Sequence, residues 1–273
     1  MTPGSILTLA FAALVITSSA VAQDKVTVPL SSPGQPVTVK AHLVSGSITL
    51  TAGTGREVIV ENAPGTIGLS SLRRPEEPPP GMHRIDGSAF SLDVVEDHNV
   101  VTIKTGSFMQ SANLTVQVPV NTSVELKTVN GGRIDVTGIS GDIDVENING
   151  TITLKNVSGS VSAHTVNGAI TVGLDKVASD KAMSFSSLNG RIDVTLPGDT
   201  KARLRLKTTN GAVYSDFDVK MEADTSKPVI EDGRGQGGKY RIRMDRGVYG
   251  SINGGGPEYS FQTMNGTILI HKK

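Results

Sequence analysis

Apolar and polar residues alternate along most of this chain, in short runs that each begin beside a glycine. Between residues 132 and 170 the unit Gly-x-Ile/Val recurs every nine residues, starting at Gly132, Gly141, Gly150, Gly159 and Gly168. Strict alternation over a short run is typical of a half-buried β-strand. One unit is too short to bury its own apolar side chains, so the pattern predicts that successive units stack on one another.

The residues before each glycine complete the consensus apolar-[Asn/Ser]-Gly-x-Ile-x-Val. Asn–Gly favours tight turns because both residues tolerate positive φ, so these pairs predict either antiparallel hairpins or the corners of a coil with parallel strands. Asn–Gly alternates with Ser–Gly at Asn149, Ser158 and Asn167, which makes the full repeat about eighteen residues. Further along, the glycines are 22 and 21 residues apart, which fits one longer coil each.

We therefore predict an all-β fold, a two-sheet β-solenoid with about 18–22 residues per coil, and we keep an antiparallel β-sandwich as the alternative. In the solenoid, pairs of aliphatic side chains point inward as ladders. These pairs are Ile134/Val136, Ile143/Val145, Ile152/Leu154, Ile170/Val172 and Ile192/Val194. We expect Asn149, Asn167, Asn189 and Asn210 to stack at one corner.

The N-terminal segment has the features of an export signal. Residues 5–22 form an apolar run that closes on Ala20-Val21-Ala22, which fits the small-x-small cleavage rule. We predict a signal peptide over residues 1–22, a mature chain from Gln23 and no transmembrane anchor in that mature chain, since no second apolar stretch of spanning length follows. Residues 23–273 are predicted to form one repeat domain, with exposed insertions near 70–87, where three prolines are consecutive, and near 223–238.

Composition removes several classes of function. Lys plus Arg and Asp plus Glu both number 26, so the sequence predicts no bulk attraction to nucleic acid or anionic membrane, although local patches are permitted. The chain has no cysteine, which excludes disulfides, a zinc–thiolate site and a thiol nucleophile. Five scattered histidines show no metal-ligand spacing, and the Gly-x-Gly-x-x-Gly run at 233–238 leads into a predicted strand where a phosphate site needs a helix. We predict no cofactor.

Two sets of charged residues are candidates for function. Outward acids at Asp135, Asp144 and Asp193 are compatible with acid–base chemistry on a solenoid face. Cationic residues alternate with apolar ones on two strands, and on neighbouring strands such rows would form one patch for an anionic polymer. The cationic set is Lys201, Arg203, Arg205 and Lys207 on one strand and Lys239, Arg241 and Arg243 on the other.

The repeat units resemble the DUF4097 family of bacterial β-strand repeat proteins, which are described as adhesin-like. The resemblance lies in Val44–Leu50, in the central Asn–Gly units and in the closing run from Gly254 to Ile268. It implies association with the envelope or cell surface and carries no catalytic residues. We therefore expect a non-enzymatic, exported binding scaffold, periplasmic or at the cell surface. Its expected partner is an anionic envelope glycan, lipopolysaccharide or another envelope protein. A carbohydrate-active lyase or hydrolase on a β-helix is the alternative.

Overall fold

A computed structural model of the chain describes residues 24–64, 92–105, 111–222, 229–232, 240–243 and 247–273. These residues form strands and turns, with no helix among them. The predicted signal peptide and the insertion near 70–87 lie outside the described residues, as does most of the insertion near 223–238. The strands are β1 Asp24–Pro29, β2 Val37–Gly53, β3 Glu57–Pro64, β4 Leu92–Asp97, β5 Val100–Thr105, β6 Ala112–Pro119, β7 Thr122–Asn130, β8 Ile134–Thr137, β9 Ser140–Asn149, β10 Ile152–Asn167, β11 Ile170–Val177, β12 Met183–Asn189, β13 Ile192–Leu196, β14 Ala202–Asn210, β15 Val213–Ser215, β16 Lys220–Glu222, β17 Val229–Asp232, β18 Tyr240–Arg243, β19 Val248–Ile252, β20 Glu258–Asn265 and β21 Ile268–Lys272.

The prediction of a two-sheet β-solenoid is confirmed. Each coil runs along one sheet, turns at an Asn–Gly corner and returns along the other sheet. We call the sheet before that corner the front sheet and the one after it the back sheet. Consecutive coils pair in parallel: Ile134 of β8 lies opposite Ile152 of β10, and Ile152 lies opposite Ile170 of β11. Both steps are eighteen residues, as the glycine spacing predicts.

Antiparallel pairs flank the parallel stack. On the back sheet, β3 pairs with both β6 and β1. On the front sheet, β4 pairs with β5 at one end, and β19 pairs with β14 and β16 at the other. A separate hairpin joins β17 and β18. The alternative of an antiparallel sandwich is therefore wrong for the body of the fold.

The first and last coils are inserted out of chain order. β2 pairs with β5 and β6 on one side and with β7 and β8 on the other. At the opposite end, β20 lies between β12 and β14, and β21 lies between β13 and β15. The coil that begins at Gly211 therefore stacks on the C-terminal coil and not on the coil of Gly190. Each insertion ties a remote part of the chain into the stack.

Inward columns of aliphatic residues form the core. Ile48, Ile134, Ile152, Ile170, Ile192 and Ile268 follow one another in register on the back sheet, and each is fully buried. All five predicted aliphatic pairs are buried. On the front sheet, the rings of Phe185 and Phe261 stack with their centroids 4.9 Å apart. This continuous core makes the outer surface a rigid frame.

Backbone stacking explains the glycines of the Asn–Gly corners. A Cβ built on Gly150 would lie 1.7 Å from the carbonyl oxygen of Gly132, and one on Gly168 would lie 2.0 Å from that of Gly150. The sequence pattern predicts positive φ at these pairs, but none of Asn149, Gly150, Asn167 and Gly168 has positive φ. These glycines allow the backbones of neighbouring coils to approach closely, because any side chain at these positions would collide with the backbone of the next coil.

The Ser–Gly corners are built differently. Gly138 and Asn156, each three residues before a Ser–Gly glycine, have φ of 78° and 51°. At Asn156 the pairing register of β10 shifts, as in a β-bulge. The extra residue resets the alternation, so that the apolar residue after each of these positions, Ile139 or Val157, turns inward and is buried. The apolar position two residues before the glycine therefore points into the core at the Ser–Gly corners and outward at the Asn–Gly corners.

Candidate functional site

An asparagine ladder runs along the Asn–Gly corner. Four side-chain amides each donate a hydrogen bond to the side-chain oxygen of the asparagine in the neighbouring coil, over distances of 2.7–2.9 Å, and the amide of the first member, Asn149, donates to the backbone carbonyl of Val129 over 3.4 Å. The order of the ladder is Asn149, Asn167, Asn189, Asn265 and Asn210. The predicted stack of asparagines is confirmed, and Asn265 is inserted between Asn189 and Asn210 because the C-terminal coil is inserted there. The ladder fixes an exposed corner in a regular geometry.

A second ladder lies just inside the corner, three residues before each glycine. Thr165 donates its hydroxyl to the carbonyl of Gly150 over 3.1 Å, and Ser187 donates to Gly168 over 3.0 Å. Asn147, Thr208 and Thr263 make the same bond to Gly132, Gly266 and Gly190. These side chains satisfy carbonyls that the corner would leave unpaired. This ladder was not predicted from the sequence, although a Thr, Ser or Asn recurs three residues before the glycine of each of these coils.

A row of apolar side chains is exposed beside the asparagine ladder. We call this row the corner ridge; it consists of Val129, Ile148, Val166, Leu188 and Met264, with exposures from 36% to 47%. The flanking residues are in register from β7 through β9, β10 and β12 to β20, so the five side chains stand in five successive coils. The strand continues its alternation up to the asparagine, and this leaves the residue before the asparagine pointing outward.

The cationic row of β14 has the alternation that its sequence predicts. Ala202, Leu204 and Leu206 are buried, and the cationic residues between them point outward. Arg203 forms an ion pair with Glu222 of β16 at 2.9 Å, and this hydrogen bond lowers the pKa of Glu222. Lys201 precedes β14 and is exposed, whereas Arg205 and Lys207 are partly exposed. The structure therefore confirms the outward row on β14, and within it Arg203 is paired with Glu222.

The second predicted cationic strand lies elsewhere. Arg241 and Arg243 belong to β18, which pairs with β17 and places Arg241 opposite Glu231. Lys239 lies outside the described residues. β14 is hydrogen-bonded to β19 on one edge and to β20 on the other, so β18 is not its neighbour in the sheet. A shared polyanion site across both strands stays a prediction.

The outward acids lie among cations. Glu125 of β7 and Asp144 of β9 are opposite each other on the front sheet. A hydrogen bond from Lys40 lowers the pKa of Glu125, with Lys40 and Glu125 3.1 Å apart. On the back sheet Asp135 pairs with Arg133 at 2.9 Å, and Asp193 lies 3.6 Å from Arg191. Glu125, Asp135 and Asp193 are therefore each engaged by a cationic side chain.

An open trough on the back sheet lies beside the Asn–Gly corner. Hydroxyl and amide side chains line it, among them Ser47, Asn113 and Thr151, together with the guanidinium of Arg133. Ser47 donates its hydroxyl to Asn113 over 2.6 Å. The trough can offer hydrogen bonds to a polar ligand.

The described residues contain no group of three or more His, Cys, Asp or Glu residues placed to hold a metal ion. A helix long and apolar enough to cross a membrane does not occur in the described part of the chain.

The stacked coils, the inserted terminal strands and the repeated corners define a β-solenoid repeat protein. The chain belongs to the Toastrack DUF4097 family, whose model matches residues 9–253. Two solved structures are similar over nearly all of both chains. One is a candidate cell adhesion protein of Clostridium sporogenes, with a TM-score of 0.46 and 9% identity over 92% of this chain and 100% of the other. The second is a candidate adhesin of Bacteroides fragilis, with a TM-score of 0.35 and 10% identity over 93% and 98%. No curated protein sequence matches this chain significantly.

Proposed function

We propose that this protein is an exported scaffold of the cell envelope or cell surface, which binds a polymeric partner on its outer face and catalyses no reaction. The observation that carries the proposal is the repetition of the outward positions. The asparagine ladder alone presents the same side chain on five adjoining strands, at the strand spacing of ~4.8 Å. A rigid surface of repeated groups suits a ligand that is extended and itself repetitive.

The environment of the carboxylates supports binding over catalysis. Asp142, like Glu125, is held ionised: a hydrogen bond from Lys181 at 2.7 Å and another from Ser160 lower its pKa. The trough beside the corner is lined by hydroxyl, amide and guanidinium groups. The alternative, a lyase or hydrolase, requires two carboxylates with separated pKa values around a bound sugar.

An anionic envelope glycan or lipopolysaccharide is the partner that the cationic row of β14 favours. The chain has no net charge, so attraction to such a polymer has to be local and should weaken as salt approaches ~0.15 M, where screening acts over ~8 Å. Export is part of the proposal and rests on the apolar run at residues 5–22. Mass spectrometry of the native protein should show a mature chain that begins at Gln23.

The test is binding of the full mature protein to lipopolysaccharide and to an acidic glycan, at low and at physiological salt. We expect salt-sensitive binding that Arg203→Gln with Arg205→Gln weakens and that Lys155→Gln, a charge loss on the other sheet, leaves unchanged. The same samples are assayed for new reducing ends. Glycan cleavage that Glu125→Gln with Asp144→Asn abolishes would establish the enzyme in place of the scaffold.

A further inference from the structure

The corner ridge is an unusual surface for a chain whose other outward strand positions are mostly polar. Its five aliphatic side chains are each more than one third exposed. With a spacing of ~4.8 Å between strands, they form a line ~19 Å long and one side chain wide. The ridge ends at the coil of β14, where Thr209 takes the equivalent position before Asn210.

The ridge is too small and too convex to hold a second copy of the chain. A strip of this length and ~10 Å width covers ~200 Å², whereas a stable protein interface needs ~800 Å² on each partner. The ridge also stands on a corner between two sheets, so a rigid protein partner would need a matching groove. A lipid surface needs no such match, because its headgroups and acyl chains rearrange around inserted side chains.

Charge on both flanks of the ridge points to the kind of lipid. On the front side the outward neighbours include Lys127 and Glu146, and on the back side the residues after the corner glycines include Arg133 and Arg191. The side chains of Arg133 and Arg191 are 69% and 57% exposed. Three of these four charges are positive.

The aspartates paired with Arg133 and Arg191 lie farther from the ridge than these arginines do, whereas Glu146 lies level with Lys127. Arg133 and Arg191 each bind an aspartate two residues further along the back sheet, at 2.9 Å and 3.6 Å. Lys127 lies 3.5 Å from Glu125, two residues back along the front sheet, and 3.7 Å from Glu146. An apolar row with cations on its flanks is complementary to an interface of acyl chains and anionic headgroups.

We propose that the corner ridge is a lipid-binding edge, with which the solenoid lies on a membrane surface that contains anionic phospholipid. The aliphatic side chains enter the boundary between headgroups and acyl chains, and Lys127, Arg133 and Arg191 contact the headgroup phosphates. The rigid coil spacing holds all five side chains at one depth. This inference goes beyond the proposed scaffold function and uses residues outside the β14 row, so either one can fail without the other.

The absence of tryptophan from the sequence provides a clean test. A single Leu188→Trp variant reports on the ridge, and Val120→Trp, at a 50% exposed valine outside the ridge, is its matched control. Each full-length mature variant is mixed with vesicles of phosphatidylcholine alone and of phosphatidylcholine with phosphatidylglycerol. We expect a blue shift for Leu188→Trp that is larger on the anionic vesicles, and no shift for Val120→Trp.

Vesicle co-sedimentation gives the magnitude. Leu188→Ser with Met264→Ser should lower partitioning onto the anionic vesicles about tenfold or more, since two partly inserted apolar side chains are lost. Val120→Ser should leave partitioning unchanged, and circular dichroism should show that all variants fold. Arg133→Gln with Arg191→Gln should remove the preference for anionic vesicles.

Two results would overturn the proposal. One is the absence of a vesicle-induced shift for Leu188→Trp, or an equal shift for Val120→Trp. The other is a shift of Leu188→Trp emission with protein concentration alone, which would mean that a second copy covers the ridge.

Discussion

Replacing Gly168 with alanine tests whether the corner glycines are there for close approach between coils. A methyl group at this position would lie 2.0 Å from the carbonyl oxygen of Gly150 and 2.6 Å from its carbon. To restore ordinary contact, the two backbones must separate by roughly 1 Å or more. Because both atoms belong to the backbone, no side-chain rotation can relieve the collision.

The cost of that separation follows from the bonds that cross it. Ile152 donates its backbone N–H to the carbonyl of Ala169 over 3.0 Å, and Thr165 donates its hydroxyl to Gly150 over 3.1 Å. The amide of Asn167 donates to Asn149 over 2.8 Å. Stretching each by ~1 Å breaks it, and at ~1 kcal/mol a bond the loss is ~3 kcal/mol.

Gly173, five residues later in the same coil, is the matched control. Its Cβ would meet only the carbonyl oxygen of Leu154, at 3.9 Å, and its φ is not positive. Gly173→Ala should therefore be neutral or stabilise by ~0.5 kcal/mol, because alanine restricts the unfolded chain.

The assay is urea unfolding followed by far-ultraviolet circular dichroism, since the chain has no tryptophan to report by fluorescence. The midpoint of Gly168→Ala should fall well below that of the wild type, while the midpoint of Gly173→Ala should not fall. Equal midpoints for the two variants would refute the argument that backbone contact between coils requires glycine at position 168.

Three further predictions follow from individual side chains. Ile152→Asp should destabilise the fold by more than ~3 kcal/mol because it buries a lone carboxylate. Thr153→Asn, on the outward face, should unfold at the wild-type urea midpoint. Equal losses of stability in the two variants would contradict the assignment of inward and outward faces. The buried hydroxyl of Tyr259 has no hydrogen-bond partner among the described residues, so Tyr259→Phe should increase the free energy of unfolding by up to ~1 kcal/mol and raise the melting temperature. A lower melting temperature would reveal a hidden partner of this hydroxyl. Lys181→Met should raise the pKa of Asp142, measured by NMR titration. Because the pKa of Asp142 is lower in the folded protein than in the unfolded chain, the stability that Lys181 contributes is present above the unfolded pKa and is lost as pH falls through the folded pKa. An unchanged pKa of Asp142 would mean that Lys181 does not hold it.

The sequence by itself determined the inward and outward faces of the strands and the length of the coil. Alternation at Ile134/Val136 and at the equivalent pairs fixes which side chains point inward, because a strand has a period of two and one buried face sets its phase. The nine-residue glycine spacing and the change between Asn–Gly and Ser–Gly gave the eighteen-residue coil. The recurrence of asparagine before the glycine was enough to predict the ladder.

Only the tertiary structure decided the order of the coils and whether the apolar residue at each corner is buried or exposed. Ile192 pairs with Ile268, far along the chain, because every coil offers a similar aliphatic column to its neighbours and local sequence does not say which coil stacks next. The consensus apolar position is buried at Val157 and exposed at Val166. The difference arises from the positive φ of Asn156, which resets the alternation at one corner type and is absent from the other. The corner ridge exists because the Asn–Gly corners lack that reset, so the alternation of the strand carries the apolar residue to the outer face.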